Sequence, residues 1–115
     1  HLFDTKLIII GGGKTTDSIK TREELQDKIL KYNLSEKVEL INQVSYNDIE
    51  KYYDLIDIIC LPRIDSEVCN IVAPLKPYEA MMYGKIVLAS SVDALTDIIT
   101  FFAATKLENP SAVLN

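Results

Sequence analysis

Short apolar runs alternate with amphipathic stretches along this chain, and the alternation predicts its elements. Lys6 to Ile10 is a short β-branched apolar run closed by Gly11-Gly12-Gly13, which reads as a buried parallel strand running into a turn. Thr21-Arg-Glu-Glu24 has capping-box spacing, and Leu25, Ile29 and Tyr32 then share one helical face up to Asn33, a residue that tolerates a left-handed cap. A helix over about 22–32 is expected. Val38–Ile41 is a second strand. Ser45-Tyr-Asn-Asp48 opens another helix, with Val44 and Ile49 spaced as a hydrophobic staple and Ile49, Tyr52, Tyr53 and Ile56 forming its inward stripe. Ile58–Leu61 is a third strand, stopped by Pro62, which cannot donate to a ladder. A polar loop is expected over 63–70. Pro77 suits the first turn of a helix with its body from Tyr78 to Tyr83, ended by Gly84. Ile86–Ala89 is the fourth strand, and Asp93 can cap a last helix with Leu95, Ile98, Ile99 and Phe102 on one face. Beyond Phe102 the pattern dissolves, so 103–115 reads as an irregular tail. Strand and helix in alternation predict an α/β class with about four parallel strands.

Length and composition narrow the function classes. With 115 residues, 48% of them apolar and 25% charged, the chain suits one ordinary globular domain with a single core. A net charge of -5, with Lys and Arg scattered, argues against a nucleic-acid partner, because phosphate contacts need clustered cations. Cys60 and Cys69 fit no zinc or redox spacing and read as idle thiols in a reducing compartment. His1 is the single histidine, which leaves no His-based metal site or general base. No apolar run approaches the ~20 residues needed to span a bilayer and no secretory leader is present, so a cytoplasmic location is expected.

Two segments carry candidate chemistry. The strand followed by glycines invites a phosphate-binding reading, since backbone N–H groups at a helix start attract anions. The common fingerprints do not fit. In a G-x-G-x-x-G reading the third glycine falls on Thr16, where no clean helix start is expected, and in a P-loop reading the leading glycine falls on Ile8. Gly12 and Gly13 stay open between a tight turn and close approach to a ligand. The second segment runs from Val72 to Ser90. Lys76, at a helix start, adds a full charge to the partial positive charge of the helix end, a combination suited to a pyrophosphate. Glu79, one turn later, offers two acceptor oxygens that match a vicinal diol such as the 2- and 3-hydroxyls of a ribose. The plain alternative is a surface Lys–Glu pair at i, i+3.

The stretch from Lys6 to about Ile99 resembles the C-terminal, nucleotide-sugar-binding domain of the large retaining GT-B glycosyltransferase family, group 1 type. The matching residues are Leu7 to Gly13, Val38 to Ile41, Asp57 to Pro62, and the block Pro74 to Ser90, which contains Glu79-Ala-Met and Gly84. Pro62-Arg63 and Pro74-Leu-Lys-Pro77 look like a subgroup that builds envelope polysaccharides. The resemblance implies a Rossmann-like three-layer parallel sheet, here partial, and transfer of a sugar from a nucleotide diphosphate sugar to an acceptor. It places Glu79 as the ribose-binding glutamate. Arg63 and Lys76 fall in the donor-phosphate region and the backbone at Gln43 and Val44 in the segment that cradles the nucleobase, with Leu75, Gly12 and Gly13 also counted among the donor-binding residues. No catalytic residue, metal or cofactor is implied within the chain.

Departures from the family pattern matter too. A second family glutamate, near the donor sugar, falls on Ile71, with Glu67 and Asp65 as the nearest carboxylates. The central Gly-Arg strand, the closing Gly-Leu-Leu-Phe-like strand and the acceptor-binding N-terminal lobe have no counterpart, so a fragment prone to self-association and inactive alone is expected. The rival class is a non-catalytic α/β binding or regulatory module.

Overall fold

The computed structural model describes residues 4–108; residues 1–3 and 109–115 lie outside the described residues. The chain is mixed α/β and divides into two compact units, His1–Ile49 and Glu50–Asn115. Four strands form, as read from the apolar runs, and they hydrogen-bond as two separate parallel pairs.

The first unit is a β–α–β arrangement: β1 (Leu7–Ile10), α1 (Thr16–Lys31) and β2 (Val38–Ile41). β1 and β2 pair in parallel from Leu7 opposite Val38 to Ile10 opposite Ile41, so the residues after both strands emerge at one carboxyl edge. α1 starts well before the expected 22. Thr15 caps it, its hydroxyl accepting from the Ser18 N–H at 3.3 Å, and Asp17 sits in the first turn where a negative charge is favourable. Thr21 is thereby an interior residue, its hydroxyl donating to the Asp17 carbonyl at 2.9 Å. The helix ends as expected at Asn33, with φ 54°. The Asn33 N–H donates to the Leu30 carbonyl and the Leu34 N–H to the Ile29 carbonyl, at 3.1 and 2.8 Å, the closure that follows a left-handed residue.

α2 (Tyr46–Leu55) spans the boundary between the units and opens at Ser45, as the sequence predicts. The second unit continues with β3 (Ile58–Leu61), α3 (Glu67–Ile71), α4 (Lys76–Met82), β4 (Ile86–Ala89) and α5 (Asp93–Glu108). β3 and β4 are parallel, Ile58 opposite Ile86 and Leu61 opposite Ala89. Two expectations change here. The loop over 63–70 contains α3, because the Ser66 hydroxyl accepts from the Cys69 N–H at 3.3 Å and starts a turn. Helix α5 runs on through 103–108, where the sequence pattern predicts an irregular tail; Ala103, Ala104, Lys106, Leu107 and Glu108 are all strong helix formers even where no apolar stripe marks them. The buried apolar side chains of the described residues, Tyr53, Pro77, Ala80, Val92, Ala94, Leu95 and Ile98, all belong to this second unit.

Candidate functional site

α4 carries the most informative candidate residues. Pro77 occupies its first turn, where a missing N–H costs nothing and the fixed φ is already helical. Its end is set by Gly84, at φ 69°, with the Gly84 N–H donating to the Met81 carbonyl at 3.0 Å and the Lys85 N–H to the Ala80 carbonyl at 2.9 Å. These two constraints fix the register that places Glu79. No side chain caps the amino end; the Glu79 N–H donates to the Leu75 carbonyl at 3.2 Å, so Leu75, Lys76 and Glu79 share the opening turn. Leu75 and Lys76 are exposed, whereas Glu79 is half-buried.

Glu79 is oriented by aromatic neighbours. One carboxylate oxygen, Oε2, accepts from the Tyr53 hydroxyl at 3.2 Å. The Tyr53 ring stacks on Tyr83 with centroids 4.5 Å apart and planes within 10°. Burial, then the Glu79 charge, the hydrogen bond to Glu79 and the neighbouring Tyr83 push the Tyr53 phenol up to about 12. Lys6 pairs with Glu39 and Lys37 with Asp4, and no ion pair among the described residues joins Lys76 to Glu79. The surface Lys76–Glu79 pair is therefore not formed: the polar partner of Glu79 is a phenol on α2.

Arg63 stands just past the carboxyl end of β3. Its N–H donates to the Ser90 hydroxyl at 2.6 Å, tying the exits of β3 and β4 together, and its guanidinium donates to the Val72 carbonyl at 3.3 Å. That contact uses one of five guanidinium donors. No hydrogen bond among the described residues joins Arg63 to Lys76 or Glu79. Of the carboxylates near the absent family glutamate, Asp65 accepts from Asn70 at 2.7 Å and Glu67 lies exposed in the first turn of α3. Asn70 also accepts from the Asp93 N–H at 2.9 Å, anchoring the start of α5 to α3. A shallow groove of about 340 Å³ beside Asn70, Ile71, Tyr78, Asp97 and Ile98 lies between α3, α4 and α5, and none of the candidate residues lines it.

In the first unit the candidates gather at the carboxyl edge of β1–β2. Gly11 and Gly12 have φ of 138° and 147°, a region that side chains strain to reach. A Cβ on Gly13 would stand 2.5 Å from the Ser18 hydroxyl oxygen. The turn therefore has structural reasons for all three glycines. Gln43 is exposed and Val44 half-buried in the segment that leaves β2. The sequence reading missed Arg22 here: its guanidinium donates to the Gly11 and Leu40 carbonyls at 3.3 and 3.1 Å and pins the two strand ends. It also missed Tyr53, read only as part of a buried stripe, and Asn70. No spacing marks such contacts, because each joins residues from different elements.

A family model described as "Glycosyl transferases group 1" matches residues 3–107. No curated protein and no solved structure matches the chain.

Proposed function

We infer that this chain, which belongs to the group 1 glycosyltransferases, takes part in glycosyl transfer by holding a nucleotide diphosphate sugar through its second unit. The observation that carries the reading is Glu79: a half-buried carboxylate in the opening turn of α4, fixed through Oε2 by Tyr53. Its other oxygen has no hydrogen-bond partner among the described residues, which suits a pair of ribose hydroxyls. Lys76 supplies charge for the diphosphate at the same turn, and Arg63 retains donors beyond the one given to Val72.

The chemistry asked of these groups is charge stabilisation of a leaving diphosphate, with no covalent step through the chain. We assign no catalytic residue. Acceptor orientation, worth several kcal/mol through proximity, falls to a lobe outside residues 1–115 in the two-lobed GT-B arrangement that the resemblance implies. On this reading residues 1–115 alone transfer no sugar, and surface polysaccharide is the product class. For the first unit the proposal is limited to backbone: the groups at Gly12, Gly13, Gln43 and Val44 occupy the carboxyl edge of β1–β2, the kind of edge where parallel α/β folds meet ligands. Family membership favours the transfer reading over a non-catalytic module.

The test is nucleotide affinity in the complete polypeptide that carries this chain. Glu79→Gln keeps the volume and removes the charge and one acceptor, and it should cost ~1.5 to 3 kcal/mol, roughly 10- to 150-fold in affinity for a ribonucleoside diphosphate. Unchanged binding would reduce Glu79 to a helix-surface carboxylate.

A further inference from the structure

A glutamate side chain has three rotatable bonds, and it can accept from a diol only if the carboxylate is presented in one orientation. Within the second unit that orientation is set by a neighbour on another helix. Tyr83 lies four residues after Glu79, its N–H donating to the Glu79 carbonyl at 3.1 Å, so the two side chains rise from one face of α4. Tyr53 meets both: its ring lies flat on Tyr83 at 4.5 Å, and its hydroxyl reaches Glu79 Oε2 at 3.2 Å. Tyr53 is itself fixed, with only 5% of its surface exposed.

We propose that Tyr53 is a positioning residue of the donor site, holding the Glu79 carboxylate in the rotamer that receives the ribose hydroxyls while Tyr83 braces the Tyr53 ring. The proposal rests on the diol reading of Glu79. Packing alone would be served by phenylalanine, which fills the same space on Tyr83; a hydroxyl at a buried position has to be hydrogen-bonded, and its partner here is the carboxylate assigned to the ligand. The phenol stays protonated across the physiological range, so it remains a donor toward Oε2 and leaves the other oxygen of Glu79 to a ligand.

Calorimetric titration of the complete polypeptide tests this with uridine, guanosine and adenosine 5′-diphosphates, each in its ribose and 2′-deoxyribose form. The parent should favour the ribose form of the base it accepts. Tyr53→Phe should weaken the ribose form by roughly 3- to 10-fold, the scale of one hydrogen bond, and leave the deoxy form nearly unchanged. Added to Glu79→Gln, it should cost nothing further. A purely packing role, which phenylalanine fills equally, would instead leave both forms binding as they do to the parent.

The inference is overturned if Tyr53→Phe keeps the parent's preference, or weakens both forms equally. Glu79→Gln separates the two levels of failure. If it abolishes the ribose preference and Tyr53→Phe does not, the positioning role alone falls. If it too leaves the preference intact, or no nucleotide in the set binds, the diol reading falls and carries the positioning role with it.

Discussion

A phenol buried against a carboxylate gives up its proton reluctantly, and Tyr53 is pushed up to about 12 by burial first and by the Glu79 charge second. The folded chain therefore keeps a proton that the unfolded chain releases near 10. The Tyr53 contribution to stability is complete below pH 10 and is lost as the pH rises toward 12. Glu79→Gln removes the charge and leaves the burial, so the Tyr53 transition should move down yet remain above 10. Carbon-13 NMR of the tyrosine ring carbons across that pH range reads it directly, and a transition unmoved by the substitution would mean the two groups do not meet in solution. Sequence alone could place Glu79 on a helix but not Tyr53 beside it. The register of α4 follows from Pro77 and Gly84, which are local signals, whereas the Tyr53–Glu79 contact depends on which helix faces are packed together. For the same reason the sequence offered Lys76 as the partner of Glu79: the i, i+3 neighbour is visible along the chain, and the phenol is not.

Helix ends govern how far the elements could be read. Gly84 and Asn33 close α4 and α1 in the same way, at φ 69° and 54°, and around Gly84 a Cβ would meet nothing within 4 Å. Gly84→Ala should therefore cost only the backbone strain, about 1–2 kcal/mol, and Asn33→Gly should be close to neutral. Thermal unfolding of the two variants decides it; equal, small shifts would show that neither left-handed closure limits stability. Both C-terminal signals were legible because each is a single residue with a backbone requirement. The starts were less so. Thr15 and Ser66 cap through hydroxyls that a polar loop would also contain, and Thr21-Arg-Glu-Glu24 imitates a cap inside α1. Strands fared better: Val38–Ile41, Ile58–Leu61 and Ile86–Ala89 have the bounds that their apolar runs predict, because a short β-branched run between turn residues leaves few other choices. How the four strands pair is set by long-range hydrogen bonds, which no run records.

At the scale of the whole molecule, burial is uneven. The buried apolar residues lie in the second unit, with Leu95 at 0% and Ile98 at 4% exposure, while none of the described residues of the first unit is buried. Amide exchange should accordingly be slowest where α4 and α5 pack and fastest in β1, α1 and β2. The strand pairs raise a further difficulty. Parallel ladders are normally covered on both faces and extended at their edges, yet among the described residues each ladder has two strands, and each strand pairs along one edge only. On β3–β4 one face is also open: Ile58, Ile86 and Leu88 are 52%, 64% and 63% exposed, with Cys60 exposed opposite Leu88. An apolar strip flanked by unpaired N–H and C=O groups offers a second copy both hydrophobic contact and hydrogen bonds. Residues 1–115 in isolation should therefore self-associate at micromolar concentration, measured by sedimentation velocity. Leu88→Lys places a charge on that strip without removing a backbone donor, and it should shift the distribution toward monomer while retaining the circular dichroism of the parent. A parent chain that sediments as a monomer and unfolds steeply would show that both edges and face are protected, and would overturn the expectation.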